Sequence, residues 1–129
     1  MLGFLSNKRL AEIAQTALAT RPDGPIAALG DAALAKALTK AGFTAEQVTD
    51  TPPDGDTLFA GLVAPGGVGA SLPAWTRRLA DGARILVAAK GDGEVVTAAL
   101  LSARVLDLAI ACPRPLVLVG RVDARLARV

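Results

Sequence analysis

The sequence predicts a single α/β domain over residues 1–129, built on a mostly parallel sheet with helices on both faces and an antiparallel strand at its C-terminal end. Three observations carry this. Between residues 25 and 121, short apolar runs alternate with segments of helical periodicity, the alternation that produces parallel sheets. The runs Ile85-Leu86-Val87 and Leu116-Val117-Leu118 are continuously apolar, as strands covered on both faces are. Finally, Pro113-Arg114-Pro115 separates two strand-like segments so closely that a hairpin is the natural connection.

Residues 6–20 form an amphipathic helix. Ser6 or Asn7 can cap it, and Leu10, Ile13, Ala14, Ala17 and Leu18 fall on one face. Arg21-Pro22-Asp23-Gly24 breaks the chain, and residues 25–29 make a short buried strand. Asp31 caps a second helix through Ala41, with Leu34, Ala37, Leu38 and Ala41 inward and Gly42 placed to end it in a left-handed conformation. A short strand is expected within 43–50, then a loop from Thr51 to Asp56, then a strand over 57–64. Pro65 to Ala70 form a loop leading to a cap at Ser71. The helix after it buries Leu72, Trp75 and Leu79 and ends at Gly82. Arg84 to Ala89 read as a central strand. Asp92 opens a helix over 93–103 with Val96, Ala99, Leu100 and Ala103 inward, and strands near 105–111 and 115–121 close the domain.

Composition excludes several kinds of function. With no histidine and no tyrosine, triad catalysis and an ordinary zinc site are ruled out, so no metal is expected. Fourteen basic and twelve acidic residues are too balanced, and aromatic residues too few, for a nucleic-acid binder. Arg104, Arg114, Arg121, Arg125 and Arg128 crowd the last quarter, as a solvated basic tail or, alternatively, an anion site. The mean hydropathy of +0.44 is high, yet no apolar run reaches the roughly 18 residues of a membrane helix. The single cysteine, Cys112, lies in an apolar run as an inert thiol and fits a reducing cytoplasm. The opening Met1-Leu2-Gly3-Phe4-Leu5 is too short for a signal-peptide core and suits capping the next helix or entering a partner's groove.

From Leu72 to Gly120 the order is helix, strand, helix, strand, strand, with Ala80-Asp81-Gly82 closing the first helix. This order resembles the C-terminal half of a class I S-adenosylmethionine-dependent methyltransferase domain, a Rossmann-like fold, and the likeness extends over residues 25–121. The resemblance implies a truncated, degenerate member. Where the family carries a glycine-rich turn after its first strand, this chain has Gly30 alone, followed by Asp31-Ala32-Ala33. Where the family has a further helix and strand, only six residues lie between Asp50 and Thr57, too few for a crossover.

The same resemblance implies a cofactor site, were one retained, at Gly30, Asp50, Gly66, Gly67 and Gly69. Glycines let backbone approach the cofactor at the carboxyl edge of the sheet. Asp50, 20 residues after Gly30, falls where the family's ribose-binding acid stands. The plainer reading makes Asp50 a solvated loop acid and the 66–71 glycines a device for turning a long loop. That loop also precedes a helix start and could form an anion-binding nest. Trp75 is expected to be a packed core residue.

The expectation is a pseudoenzyme: a non-catalytic, methyltransferase-like protein-binding or assembly module with no catalytic residue and no cofactor. It would be a homo-oligomer or a subunit of a larger assembly, meeting its partner through an exposed edge near residues 43–64 and the N-terminal helix. Two alternatives stand beside it: a minimal S-adenosylmethionine-dependent methyltransferase, and a small-molecule or anion-binding domain.

Overall fold

In a computed structural model of the chain, residues 6–66, 71–91 and 93–127 are described. Helix α1 (Asn7–Ala17) begins where the Ser6 side chain accepts a hydrogen bond from the Arg9 amide. After the break at 21–25 come β1 (Ile26–Leu29), α2 (Ala32–Lys40) and β2 (Ala45–Val48). Asp31 caps α2 by accepting from the Leu34 amide at 3.3 Å, and Gly42 follows the helix at φ +105°. Next are β3 (Phe59–Ala64), the short α3 (Leu72–Thr76), β4 (Leu79–Ala88) and α4 (Gly93–Ser102). Strands β5 (Leu106–Pro113) and β6 (Leu116–Arg121) make the hairpin, and α5 (Ala124–Ala127) follows.

The six strands form one sheet in the order β2-β1-β3-β4-β6-β5. The first four are parallel, β6 runs antiparallel to β4, and β5 runs antiparallel to β6. Successive strand residues point to opposite faces, so each strand feeds two cores. Ile26, Ala28, Val63, Leu86 and Val117 pack beneath α1 and α2. Ala27, Leu62, Ile85, Val87 and Leu118 pack beneath α3 and α4. Continuous apolar runs in β3 and β4 are the direct result.

Several expectations are corrected. The helix predicted from 72 to 82 stops at Thr76, because Leu79 already pairs with Phe59 as the first residue of β4. Leu79 is therefore buried as a strand residue. Gly82 lies inside β4 at φ +84°, not at a helix end. The register moves from Phe59↔Leu79 to Gly61↔Arg84, two steps along β3 against five along β4, so the strand bulges around Ala80–Ala83. Ser71 makes no side-chain capping bond to α3. The N-terminal helix closes at Ala17, three residues early, and Leu116 is half-buried at the start of β6. Asp92 lies outside the described residues.

The connection after β2 also differs. β2 and β3 flank β1 and both run parallel to it, so the ten residues 49–58 do cross over, without a helix. This segment is tied down by its carbonyls: Trp75 Nε1 donates to Asp50 at 2.9 Å, and the Arg78 guanidinium donates to Pro53 and Thr57. Of the edge expected near 43–64, β2 is indeed terminal, whereas β3 is an interior strand.

Candidate functional site at the carboxyl edge

Four parallel strands end side by side, and the residues that leave them form one rim. Gly30 follows β1 at φ +123°, a conformation that side chains disfavour. Its amide donates to Val48 O at 3.3 Å, and its carbonyl accepts from Gln47 Nε2 at 3.1 Å, which binds the turn to β2. Asp50 comes two residues after β2, exposed, with its carbonyl committed to Trp75. Pro65 follows β3 and packs on the first turn: a Cβ on Gly30 would lie 3.6 Å from Pro65 Cγ. Gly66 is next, and a Cβ there would lie 3.4 Å from Lys90 Cε.

The structure thus brings Gly30 and Gly66 to the same rim through Pro65, and sets Asp50 at the neighbouring strand end. Gly67 and Gly69 lie outside the described residues, so the nest expected over 66–71 lies largely outside them too. Lys90 is the residue that sequence reasoning missed. Its signal was an isolated charge directly after the apolar run Ile85–Ala89 and directly before Gly91, which takes φ +78°.

Chemically, the rim offers open backbone at Gly30, the exposed carboxylate of Asp50, and the Lys90 stem lying along Gly66. Among the described residues, no cluster of three or more His, Cys, Asp and Glu side chains is placed to hold a metal. No described helix is long and apolar enough to cross a membrane. Trp75 is fully buried, edge-on to Phe59 with ring centroids 5.7 Å apart, and serves as a core residue. Cys112 is buried, with its thiol 3.5 Å from the Arg114 carbonyl oxygen.

Two of the C-terminal arginines are engaged in ion pairs. Arg121 Nε donates to Asp107 Oδ2 at 2.7 Å, and this bond raises the arginine above its ordinary pKa. Arg125 pairs with Asp123 at 3.2 Å, and the hydrogen bond holds that carboxylate below its usual range. Both pairs are solvent-screened and mark a surface, not a binding centre.

No protein-family model matches the chain, and no curated protein matches it. Solved structures do. The N-methyltransferase NodS from Bradyrhizobium japonicum WM9 superposes with a TM-score of 0.58 at 13% identity, over 90% of this chain and 95% of that one. Its complex with S-adenosyl-L-homocysteine gives a TM-score of 0.60 at 11% identity, over 89% and 86%. The 16S rRNA methyltransferase RsmC from T. thermophilus, in complex with AdoMet and guanosine, gives 0.52 at 18% identity, over 94% of this chain and 40% of that one. The chain has the Rossmann-like fold of S-adenosylmethionine-dependent methyltransferases. At these identities the likeness is one of fold.

Proposed function

We propose that this chain is a methyltransferase-like module that acts by contact with protein and does not transfer methyl groups. The observation that carries this reading is the helix-free crossover at 49–58. It leaves β2 as a four-residue sheet edge and pins the backbone of Asp50 to Trp75, with the carboxylate in solvent. Methyl transfer depends on holding a sulfonium in line with its acceptor, and positioning supplies most of the rate. With no histidine or tyrosine in the chain, a proton from the acceptor would have to go to a carboxylate or a lysine. The partner is met through the β2 edge and the outer face of α1, and the buried lone thiol of Cys112 suits a reducing, cytoplasmic setting.

A minimal methyltransferase is the second reading, favoured by one observation: Gly30 with positive φ and Asp50 stand at adjacent strand ends. NodS and RsmC, solved with S-adenosyl-L-homocysteine and AdoMet, share the fold. Calorimetry with S-adenosylmethionine and S-adenosylhomocysteine separates the two. The contact reading expects no binding in the micromolar range. Micromolar binding that disappears in Asp50→Ala would make the chain a cofactor-binding enzyme.

A further inference from the structure

A groove of about 1000 Å³ begins at Gly91, next to Lys90 of the carboxyl rim, and runs between α4 and the β5–β6 hairpin. Five large apolar side chains stand out as exposed among the described residues, and three of them line this groove: Val95 at 68%, Leu101 at 59% and Ile110 at 63%. Apolar surface gathered in this way marks an interface, whereas scattered residues do not. The helix itself says the same. One side chain in ten of α4 is charged, and a helix apolar on all sides is normally covered on all sides. Val96 and Leu100 face the sheet, while Val95, Ala98 and Leu101 form a second stripe along the groove.

The opposite wall constrains what can enter. β5 is the terminal strand, but its register against β6 shifts twice and it ends in Pro113. Those features blunt an edge against another strand. The groove therefore accepts side chains, not an added strand.

We propose that it is filled by α4 of a second copy, so that two antiparallel α4 helices lie side by side between two β5–β6 hairpins. Size supports this occupant. A ten-residue helix is about 15 Å long and about 10 Å across, a volume of roughly 1200 Å³, close to that of the groove. Shape supports it as well: Ala98 lies midway between Val95 and Leu101, so a two-fold axis at Ala98 sets each large side chain against the other type in the partner. Charge decides the direction. Glu94 opens α4, while Arg104 follows its C-terminal end beside Arg77 and Ser102, exposed and with one guanidinium nitrogen 3.4 Å from the Leu126 carbonyl oxygen. An antiparallel pair sets Glu94 close to the partner's Arg104 at both ends, whereas a parallel pair would set like charges together. This surface is separate from the β2 edge and stands whichever reading of the carboxyl rim holds.

Sedimentation of the full chain tests it. The proposal expects a two-copy mass at micromolar concentration, reduced to one copy in Leu101→Asp with an unchanged circular dichroism spectrum. Glu94→Arg should weaken the dimer roughly tenfold, and adding Arg104→Glu should restore it. Because a charge on α4 can also unfold it, Ala98→Cys gives a second readout. Mild oxidation should lock two copies through that position, since Cys112 is buried. A single-copy mass throughout the micromolar range would leave the groove to a different partner and overturn the proposal. So would a dimer that survives Leu101→Asp, a charge swap that fails to restore, or an Ala98→Cys chain that does not cross-link.

Discussion

Trp75 and Asp50, 25 residues apart in sequence, are joined by a hydrogen bond of 2.9 Å from the indole Nε1–H to the aspartate's backbone carbonyl. The bond ties the short helix α3 to the segment that carries the chain from β2 to β3. The ring itself is fully buried and edge-on to Phe59, so one side chain both fills the core and fastens the crossover.

Trp75→Phe keeps an aromatic ring but removes the donor and part of the volume. The expected loss is about 2–4 kcal/mol, from a stranded carbonyl together with a partly refilled cavity. Urea unfolding checks this, and an unchanged midpoint would show that the fastening contributes nothing.

Val87 is 1% exposed in an interior strand, beneath α3 and α4. Val87→Asp should leave the chain insoluble or unfolded, since an unpaired carboxylate there has neither water nor a partner. A soluble variant with a cooperative thermal transition would contradict the placement of β4 at the centre of the sheet.

Gly120 has no room for a side chain. A Cβ there would collide with Val105 Cγ1 and lie 2.8 Å from Leu108 Cδ2. Gly120→Ala should cost about 1–3 kcal/mol through overpacking. Gly42, with nothing within 4 Å and φ +105°, offers a contrast: Gly42→Ala should cost about 1 kcal/mol, all of it backbone strain. Denaturation midpoints of the two variants, measured side by side, check the difference.

Asp31 stands at the carboxyl rim, yet its oxygen caps α2. Asp31→Ala should lower stability by about 1 kcal/mol, and Asp31→Ser should recover most of it. If Asp31→Ala instead altered ligand binding at full stability, the residue would belong to a binding site.

The elements marked by local chemistry were legible in the sequence. Asp31, Gly42 and the apolar runs of β3, β4 and β6 stand where their caps and periodicity put them, because a cap or a covered strand needs few distant contacts to specify it. The stretch after Trp75 was not legible. Leu72, Trp75 and Leu79 fit a helical stripe, and Asp81-Gly82 looks like a helix stop; pairing of Leu79 with Phe59 overrides both. At the rim, Gly30 and Asp50 were legible as strand-end residues. Lys90 was not, since its contact with Gly66 depends on the loop after β3 meeting the end of β4. The groove beside α4 was equally hidden: its apolar residues are the kind a core contains, and only the fold shows that three of them face outward.

The position of β6 has a consequence for synthesis on the ribosome. Arg84–Val87 pair with β3 on one side, and Arg84–Ala88 pair with residues 117–121 on the other. As the chain emerges, β4 is complete at Ala88, well before β6, the strand that completes its other edge, begins at Leu116. Throughout that interval its apolar backbone edge is open, the state in which nascent chains are most prone to pair wrongly. Arg84, in the middle of β4, is tied to an earlier part of the chain. In the finished fold its Nε donates to the carbonyl of Thr20, three residues past α1, so this strand is fastened to a segment made long before it.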